Sequence, residues 1–425
     1  MDYDGVVGYL YNKLPMFTRT GAAAYRSGPG NIEALVERLG GPHKRYPTIH
    51  IAGTNGKGST SHMLAAVLQR CGYKTGLYTS PHLKDFRERI RVNGRMIPEQ
   101  RVVDFVETNK SWFEAIEPSF FELTTAMAFQ HFADEQVDVA VIETGLGGRL
   151  DSTNIINPIL SVITNISWDH KDLLGDSLEK IAGEKAGIIK HKTPVIVSEN
   201  QAVRSVFNEK AKHENAPLVF ADSAYRFVKR SYLAGLQLLT FQTDKEEVTY
   251  QIDLPGFYQT HNVAAVLLAC DTLRKLGYDI TDEKQRYALS HVKHLTGLRG
   301  RWEILNDDPL TIADVAHNEA GLSCVLEQLQ SYNKRRIHFV LGFVSDKDIA
   351  SVLGLFPRNA SYYFCRPDIP RGLNEKDLSE RAKENGLVGH AYDSVSRAYR
   401  AAYIAASEED LIFIGGSTFV VSEVL

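Results

Sequence analysis

One segment constrains the fold of this chain more than any other: an apolar run enters a glycine-rich turn and then opens a helix. The run at residues 46–52 predicts a buried strand, and the pattern at residues 59–69 predicts an amphipathic helix. Glycines let a backbone wrap around an anion, while free amide groups, the helix dipole and the charge of Lys57 face it. The segment, IHIAGTNGKGST at residues 49–60, therefore predicts a phosphate-binding loop in an α/β fold.

This segment departs from the general P-loop pattern at two positions. Ile51 stands where the pattern has its first glycine, and Gly58 replaces the hydroxyl residue that directly follows the lysine. A turn with a purely structural role is the alternative interpretation. Because the strand, the turn, the lysine and the helix occur together, we favour the binding of nucleotide phosphates.

Strand-like and helical patterns alternate along the rest of the chain, which is typical of a parallel sheet wrapped by helices. Further strands are predicted at residues 137–142, 160–165 and 194–197, and further helices at residues 98–112, 122–133, 177–188 and 262–276. The pattern restarts near residue 300, with strand-like runs at residues 310–313, 337–341, 361–365 and 411–414.

We predict an α/β fold with two domains. A large ATPase domain, with the P-loop on a parallel sheet, spans residues 1–296, and a smaller, Rossmann-like α/β domain spans residues 297–425. Gly297 and Gly300 flank the expected hinge. Residues 224–251 alternate between apolar and polar side chains and predict a β-rich insertion in the first domain.

Charge and composition exclude several classes of protein. The 425 residues include 44% hydrophobic residues, and 48 Lys and Arg stand against 52 Asp and Glu, so no overall basic field attracts nucleic acid or an anionic membrane. The first ten residues carry two Asp and no basic segment, which argues against a signal peptide. The longest apolar run, residues 263–270, is too short to span a membrane. We therefore expect a cytoplasmic protein.

Glu143 closes the predicted strand DVAVIE and is a candidate magnesium ligand. A carboxylate at the carboxyl end of a central strand is well placed to hold Mg²⁺ beside a phosphate loop. A salt bridge to a helix is the alternative, which the nearby P-loop makes less favoured. The glycines that follow do not form a dinucleotide fingerprint, because Leu150 stands where the third glycine belongs.

Four other residues carry weak signals when taken alone. His170 follows a predicted strand, and a lone histidine is usually structural. Lys185 has the pattern of a solvent-exposed helix residue. Asp314 follows a strand and could hold a ribose or cap a helix, and Arg301 in the hinge could reach a phosphate or lie on the surface.

Several motifs occur in a fixed order along almost the whole chain. They are GPGNI at residues 28–32, TSPH at 79–82, FRERI at 86–90, Phe121-Glu122 with Thr124, ETGLGGRLDSTN at 143–154, WDH at 168–170, GEKAGIIK at 183–190, GFYQTHN at 256–262, GRWE at 300–303 and DVAHN at 314–318. Together with GTNGKGST, they resemble the folylpolyglutamate synthase/dihydrofolate synthase family of the Mur ligase superfamily. TSPH, GLGGRLDSTN and GEKAGI distinguish this family from the cell-wall Mur ligases.

The resemblance implies a set of site residues. It implies ATP contacts at Gly53, Thr54, Asn55, Gly56, Lys57, Gly58, Ser59, Asn262, Arg301 and Asp314, with Asp314 on the ribose. It implies Mg²⁺ ligands, for two ions in all, at Ser80, Glu143, His170 and a carbamylated Lys185. It implies folate contacts at His82, Phe121, Glu122, Leu150, Asp151 and Ser152. Lys57, Lys185 and His317 would be catalytic, with His317 near the reacting phosphate and the incoming amino acid.

The resemblance also implies a reaction. An ATP-dependent ligase would join L-glutamate to dihydropteroate, to tetrahydrofolate or to both, through an acyl phosphate, and closure of the smaller domain would exclude water. The expected partners are these small molecules, with no nucleic acid and no membrane, and the family is usually monomeric. Two alternatives stay open: a Mur-type ligase acting on a UDP-sugar peptide, and a P-loop ATPase switch that does not consume glutamate.

Two departures from the family pattern fall in the smaller domain. The usual DGAHNP reads Asp314-Val315-Ala316-His317-Asn318-Glu319, and the usual PGR reads Arg299-Gly300-Arg301. The first change replaces a flexible glycine and a rigid proline in the loop after a strand. We therefore expect a reshaped loop, and the glutamate site is the part of the assignment that it affects.

Overall fold

A computed structural model describes residues 1–16, 28, 30–345 and 349–425 of the chain. Pro29 of the GPGNI motif lies outside the described residues. The chain divides into two compact units, each described here by itself. The first unit comprises Met1–Leu254 and Gln259–Leu298, and the second comprises Pro255–Tyr258 and Arg299–Leu425.

The second unit includes four residues that the sequence pattern placed in the first domain. Gln328 holds this segment, because its Nε2 donates to the Pro255 carbonyl oxygen at 2.8 Å and its Oε1 accepts from the Phe257 amide at 2.6 Å. Tyr258 Oη donates to Asp314. The segment therefore packs with residues more than fifty positions away, which no local pattern reveals.

The first unit is built on a sheet of eight strands among the described residues, in the order β4-β3-β2-β5-β1-β6-β7-β8. The strands are β1 (Thr48–Ala52), β2 (Thr75–Tyr78), β3 (Ile90–Val92), β4 (Arg95–Met96), β5 (Val139–Glu143), β6 (Leu160–Ile163), β7 (Val195–Val197) and β8 (Leu218–Phe220). All neighbours from β2 to β8 are parallel, and β3 and β4 add an antiparallel edge. The predicted parallel sheet is thus confirmed in its central part.

Helices cover both faces of this sheet. They are α1 (Tyr3–Lys13), α2 (Gly30–Arg38), α3 (Lys57–Arg70), α4 (Glu99–Ile116), α5 (Phe120–Asp134), α6 (Lys171–Leu174), α7 (Leu178–Ala186), α8 (Arg204–His213), α9 (Ala221–Ala224), α10 (Gln259–Lys275), α11 (Asp282–Leu289) and α12 (Val292–Thr296). Short 3₁₀ turns lie at Pro42–Lys44, Phe86–Arg89 and Ser152–Ile155.

Strand β1 lies in the middle of the sheet, between β5 and β6, and all five of its residues are buried. Ile49 and Ile51 pack into one hydrophobic cluster with α3 and α10, while Ala140 and Ile142 of β5 point into another with α5. A strand covered on both faces is usually a nearly continuous apolar run, and residues 46–52 fit this except at Thr48 and His50, which are buried polar residues. The phosphate-loop segment therefore starts from the most enclosed part of the unit.

Helix α3 differs from its predicted amphipathic character. Every residue from Ser59 to Leu68 is buried. The helix lies between the sheet on one side and α10 and α11 on the other, so residues 59–68 have no face toward water. Small and hydroxyl side chains in its first two turns fit this enclosed position.

The predicted β-rich insertion is confirmed as an antiparallel sheet of three strands in the order β11-β10-β9. These are β9 (Arg226–Leu233), β10 (Leu236–Gln242) and β11 (Glu247–Ile252).

The second unit has its own sheet, in the order β12-β13-β17-β14-β15-β16 among the described strands. The strands are β12 (Glu303–Asp307), β13 (Leu310–Ala313), β14 (Ile337–Leu341), β15 (Ser361–Cys365), β16 (Gly389–Tyr392) and β17 (Leu411–Gly415), and the helices are α13 (Glu319–Ser331), α14 (Ile349–Leu353), α15 (Glu375–Glu384), α16 (Val395–Ala405) and α17 (Thr418–Ser422). All pairs are parallel except the edge pair of β12 and β13.

In the described parts of both units, no helix has the length and hydrophobicity that crossing a bilayer requires.

Candidate functional site

The phosphate loop connects the end of β1 to the first residue of α3, Lys57. Gly53 and Gly56 have φ angles of +149° and +88°, a region that side chains with a Cβ rarely adopt. The segment after β6 fixes the loop from one side: the Thr54 amide donates to the Asn165 carbonyl oxygen at 2.8 Å, and the Asn55 amide donates to Asn165 Oδ1 at 2.8 Å. The predicted strand, turn and helix are therefore present, with the turn held in one conformation.

Two lysine side chains donate to the same loop carbonyl. Lys57 Nζ lies 3.0 Å from the Gly53 oxygen and 3.2 Å from the Thr54 oxygen, and Lys185 Nζ lies 2.8 Å from the Gly53 oxygen. Lys185 is 3% exposed, so the interpretation of this position as a solvent-exposed helix residue is wrong. Burial first, and the neighbouring charge of Lys57 second, lower the pKa of Lys185 to about 7.

Ser80 and Glu143 meet at the carboxyl ends of the neighbouring strands β2 and β5. The Ser80 amide donates to Glu143 Oε2 at 3.1 Å, and Glu143 is buried. His170 adopts a left-handed conformation with φ of +50° just before α6, and its Nε2 lies 3.7 Å from Asp169 Oδ1. Across the described residues, no three His, Cys, Asp or Glu side chains converge as a ready metal site. Of the implied Mg²⁺ ligands, the structure thus brings Ser80 and Glu143 into contact.

The oxygen atoms of Ser80 and Glu143 fit Mg²⁺ chemically. Mg²⁺ prefers hard oxygen ligands and is usually bound by one or two carboxylates together with phosphate oxygens and water. A buried carboxylate at a strand end, beside the strand that enters a phosphate loop, provides the protein part of such a set.

Asn262 lies directly against the phosphate loop. A Cβ placed on Gly56 would stand 2.2 Å from Asn262 Oδ1, so only glycine allows this approach. Asn262 Nδ2 donates to Gln259 Oε1 at 2.9 Å, and Gln259 Nε2 donates to Ser59 Oγ at 3.1 Å. The first turn of α10 is therefore linked to the first turn of α3 by a buried amide network. Gln259, which belongs to the GFYQTHN motif, was not predicted as a site residue.

Close packing of the loop gives a stability prediction for Gly53. A Cβ at this position would stand 1.8 Å from Thr164 Oγ1 and would also need the unfavourable φ of +149°. We expect Gly53→Ala to reduce the free energy of unfolding by about 2 to 4 kcal/mol in urea titrations. Gly183→Ala is the matched control, because a Cβ on this helical glycine meets nothing within 4 Å. Equal stability of the two variants would contradict the packing argument.

The loop after β5 is organised by the carboxylate of Asp151. Its Oδ1 accepts from the Thr153 amide at 3.0 Å and from Thr153 Oγ1 at 2.6 Å, and its Oδ2 accepts from the Leu146 amide at 2.8 Å. Burial raises the pKa of this carboxyl against the opposing effect of these donors. Leu150 and Ser152 on either side are half-buried. The structure therefore places Asp151 as the anchor of the loop that carries these two predicted folate contacts.

Two further predicted folate contacts lie at the start of α5. Glu122 is buried and accepts from the Ser119 amide at 2.7 Å, while Ser119 Oγ accepts from the Glu122 amide at 3.2 Å, which is a capping box. The ring of Phe121 stacks so closely on Gly145 that a Cβ there would stand 2.4 Å from its Cζ. Phe121 thus lies on the loop that Asp151 organises, and Glu122 fixes the beginning of its helix.

His50 of β1 extends the Asp151 network into the core. Its Nε2 lies 2.8 Å from Thr153 Oγ1; because that hydroxyl donates to Asp151, Nε2 is the protonated nitrogen. Nδ1 is buried without a hydrogen-bond partner among the described residues. A proton on Nδ1 would therefore be buried and unpaired, and burial lowers the pKa of His50 to about 3.

Because of His50, we expect the stability of the fold to depend on pH in the acid range. The unfolded chain takes up a proton near pH 6.5 and the folded chain only near pH 3, so stability is lost as the pH falls between these values. We expect His50 to contribute a loss on the order of 3 kcal/mol between pH 6.5 and pH 4. Urea unfolding at several pH values would show a smaller pH slope for His50→Gln. The exposed His213→Gln should keep the slope of the unmodified protein, and an unchanged slope in His50→Gln would refute the argument.

His82 is held between two side chains. Arg89 Nε donates to His82 Nδ1 at 2.7 Å, and Tyr11 Oη lies 3.1 Å from His82 Nε2 with the two rings stacked. Because an arginine can only donate, Nδ1 carries no proton and the ring is neutral. Burial and the charge of Arg89 keep the pKa of His82 well below its usual value.

In the second unit, Asp314 is a buried acceptor. Its Oδ1 accepts from the Ala316 amide at 2.8 Å, and its Oδ2 accepts from the Trp302 amide at 2.8 Å and from Tyr258 Oη. Burial raises the pKa of its carboxyl. Asp314 does not cap the following helix, because Asn318 does, accepting from the Gly321 amide at 2.9 Å.

Two other predicted residues of this unit flank Asp314. His317 Nδ1 lies 2.9 Å from the Val315 carbonyl oxygen, and Arg301 Nη1 lies 3.4 Å from the Arg299 carbonyl oxygen. Val315 and Glu319, the departures from the family pattern, are accommodated: Val315 is nearly buried and its amide donates to the Gly300 carbonyl oxygen at 3.1 Å, while Glu319 is the first residue of α13. His317 and Asn318 thus keep defined positions despite both substitutions.

The chain resembles known proteins over almost its full length. Residues 51–270 match the Mur ligase middle domain, and residues 300–418 match the Mur ligase glutamate ligase domain. The chain is 35% identical over 415 residues to the dihydrofolate synthase/folylpolyglutamate synthase of Bacillus subtilis, with 94% of each chain covered. It is 34% identical over 401 residues to the protein of the same description in Escherichia coli, with 94% of this chain and 90% of that one covered.

The chain belongs to the dihydrofolate synthase/folylpolyglutamate synthase family of Mur ligases.

Solved structures of this family have the same fold. The E. coli FolC in complex with DHPP and ADP matches with a TM-score of 0.86 at 31% identity, covering 100% of this chain and 97% of that one. Mycobacterium tuberculosis folylpolyglutamate synthase complexed with ADP and AMPPCP matches with a TM-score of 0.86 at 29% identity, covering 100% and 98%. A probable bifunctional folylpolyglutamate synthase/dihydropteroate synthase of Haloferax volcanii is 33% identical over 436 residues, and this chain spans 50% of its length.

Membership of the family confirms the fold class and the assignment to ATP-dependent ligases that the motifs predicted. The alternative hypothesis, a Mur ligase acting on a UDP-sugar peptide, loses its support because these relatives are described as dihydrofolate synthase/folylpolyglutamate synthase. The individual site residues stay predictions.

Proposed function

We propose that this chain joins L-glutamate to the carboxylate of a folate-pathway acceptor at the expense of ATP. The acceptor is dihydropteroate, which gives dihydrofolate, or tetrahydrofolate, which gives folylpolyglutamates, or both. The observation that carries the proposal is the phosphate loop in which Lys57 and Lys185 converge on the Gly53 carbonyl. Relatives in two bacteria that are described as dihydrofolate synthase/folylpolyglutamate synthase support the choice of substrates.

The chemistry follows from the stability of carboxylates. A carboxylate is a poor acyl donor, because oxide is a poor leaving group. Transfer of the γ-phosphoryl group of ATP to the acceptor carboxylate gives an acyl phosphate and ADP. The amine of glutamate then attacks the carbonyl carbon and loses a proton, and inorganic phosphate leaves from the tetrahedral intermediate.

The first unit supplies the groups that bind the phosphates in this proposal. Asn165 holds the Thr54 and Asn55 amides, so the remaining amides of the loop at residues 53–59 are proposed to face the anion at the beginning of α3, where Lys57 adds a positive charge. Asn262 joins them from α10, where its amide stands against Gly56. Ser80, Glu143, His170 and Lys185 would hold Mg²⁺, two ions in all, which would neutralise charge between the phosphates and the acceptor carboxylate.

Lys185 is proposed to carry a carbamate. Its neutral amine adds to CO₂ and releases a proton, which turns a cationic side chain into an anionic oxygen ligand. Two observations support this: burial lowers the pKa of the amine to about 7, and Lys57 lies close enough to oppose a second positive charge. A buried ammonium beside another ammonium is unfavourable, whereas a carbamate would pair with Lys57 and with a metal ion.

In the second unit, Asp314, Arg301 and His317 are proposed as substrate contacts. Asp314 has its carboxylate fixed by backbone amides and is proposed for the ribose; Arg301 is proposed for the phosphates. His317, next to the helix cap at Asn318, is proposed to lie near the reacting phosphate and the amino acid.

The deciding experiment measures phosphate release by the purified protein with Mg²⁺ and ATP. It is run with and without L-glutamate, with 7,8-dihydropteroate in one set and tetrahydrofolate in another. Glutamate-dependent release with both acceptors would establish both activities, and release with one would identify it. Hydrolysis of ATP that does not respond to glutamate would overturn the ligase proposal in favour of an ATPase switch.

The cellular setting is also a proposal. We propose a monomer that works in the cytoplasm, where ATP, glutamate and reduced folates are present together. Light scattering on the eluate of a sizing column would test the monomer, since a mass of twice 47.5 kDa would contradict it.

A further inference from the structure

Arg89 is a buried arginine with unused hydrogen-bond donors. It closes the 3₁₀ turn Phe86–Arg89 and is 3% exposed. Within the described part of the chain, its side chain donates one hydrogen bond, from Nε to His82 Nδ1 at 2.7 Å, and it forms no ion pair. Burial accordingly lowers the pKa of its guanidinium.

The neighbouring arginines of the same segment have other partners, although Nε of Arg91 is also buried without a hydrogen-bond partner among the described residues. Arg87 pairs with Asp85 at 2.6 Å and with Glu99 at 3.1 Å, and Arg91 Nη1 donates to the Gly94 carbonyl oxygen at 3.1 Å. A guanidinium carries five N–H donors, and a buried charge without an opposite charge is costly. Arg89 therefore has two terminal nitrogens whose acceptors the described residues do not supply.

The surroundings of Arg89 are aromatic. Its guanidinium carbon lies 5.2 Å from the ring centre of Phe120, which packs edge to face with Phe86. Tyr11 stacks on His82, the acceptor of the one hydrogen bond, and also contacts Phe120. The site thus combines flat apolar walls with a fixed positive charge, a combination that suits an aromatic ring bearing a carboxylate.

Charge places this site next to the proposed chemistry. The ionisable side chains that favour the charged form of Arg89 are Tyr78 and Tyr11, followed by the carboxylates of Glu143, at the end of β5, and Glu88. Arg89 is also linked through His82 to the TSPH segment, whose Ser80 amide donates to Glu143. An anion bound by Arg89 would therefore lie on the side of the first unit where the proposed magnesium ligands are.

We propose that the two terminal nitrogens of Arg89 bind the carboxylate of the aromatic acceptor substrate and orient it for phosphorylation, while Nε holds His82. This assignment rests on the proposed function and concerns its arylcarboxylate acceptor, dihydropteroate. It goes further in naming the residue that recognises the reacting carboxylate itself. The role of His82 in the site becomes that of a neutral ring that fixes the plane of the guanidinium.

The test compares an acceptor carboxylate with its neutral carboxamide. Binding of 7,8-dihydropteroate and of the corresponding carboxamide is measured by calorimetry, in the presence of Mg²⁺ and a non-hydrolysable ATP analogue. We expect the unmodified protein to prefer the carboxylate by roughly 10- to 100-fold. Arg89→Gln should lose this preference while it binds the carboxamide with similar affinity. Arg87→Gln, two residues away and paired with other carboxylates, should keep the preference.

The outcomes separate a binding role from a structural one. If Arg89 only supports the fold, Arg89→Gln lowers the affinity for both ligands equally and the preference for the carboxylate survives. That result would overturn the proposal. Should Arg89→Gln not fold, Arg89→Lys decides, because it keeps the charge but loses the two-nitrogen contact and should show a smaller preference. Steady-state kinetics of Arg89→Gln provide a second measurement. The KM for the acceptor should rise, whereas the KM for glutamate should not. Absence of glutamate-dependent turnover in the unmodified protein would instead overturn the proposed function, and this assignment with it.

Discussion

Lys57→Ala is expected to lower the turnover of glutamate-dependent phosphate release by at least about a hundredfold. A preorganised charge directed at a phosphoryl transition state is typically worth ~3 kcal/mol or more. The structure holds this charge in place: Lys57 is the first residue of α3, and its Nζ is fixed by two loop carbonyl oxygens at 3.0 and 3.2 Å. Little reorganisation is then needed when ATP binds.

The measurement is steady-state phosphate release at saturating ATP, acceptor and glutamate, with thermal unfolding run in parallel. Lys74→Ala serves as the control, because Lys74 is a partly exposed lysine of the same unit that pairs with Glu135. It should retain full turnover. A Lys57→Ala protein that folds and turns over at near-normal rate would exclude Lys57 from the phosphate site.

Lys185→Met is expected to reduce turnover by about two orders of magnitude, because it removes the amine that forms the proposed metal-binding carbamate. The same mechanism makes the unmodified protein depend on bicarbonate. Above pH 7 the Lys185 amine is mostly neutral and adds CO₂, so protein dialysed against CO₂-free buffer should lose activity and regain it when bicarbonate is added.

The intact mass of the protein before and after this dialysis shows whether the carbamate is present. Electron density or peptide mapping shows whether it is on Lys185. Lys180→Ala is the matched control: Lys180 lies on the same helix, α7, but is exposed and pairs with Asp176. In a second variant, Lys185→Ala, added short carboxylates should partly restore turnover, because they can supply the missing oxygen ligand. Activity that ignores bicarbonate, with an unmodified mass, would rule out the carbamate.

Much of the larger unit could be predicted from local patterns. The strand, turn and helix around Lys57 follow from an apolar run that is buried on both faces and from glycines that supply positive φ angles. The position of Glu143 at a strand end follows from the length of its apolar run. The antiparallel insertion follows from its alternation of apolar and polar residues. Each of these features depends on residues close together in the chain, which is why sequence alone determined them.

The environment of individual side chains was decided by tertiary packing. Lys185 has the local pattern of a surface residue, yet the fold buries it against a carbonyl 132 positions away. Gln259 and Asn262 reach the phosphate loop from a helix some 200 positions downstream. Tyr258 joins the second unit through Asp314.

Arg89 shows the same division most clearly. Its sequence context, FRERI, contains two arginines that look equivalent, and only the folded chain gives Arg87 two carboxylates and leaves Arg89 among aromatic rings with donors unused. Periodicity and glycine content determine which elements form, because they act through neighbours in the chain. Burial, pKa and hydrogen-bond partners depend on residues brought together from distant positions, and these decide which side chains carry the chemistry.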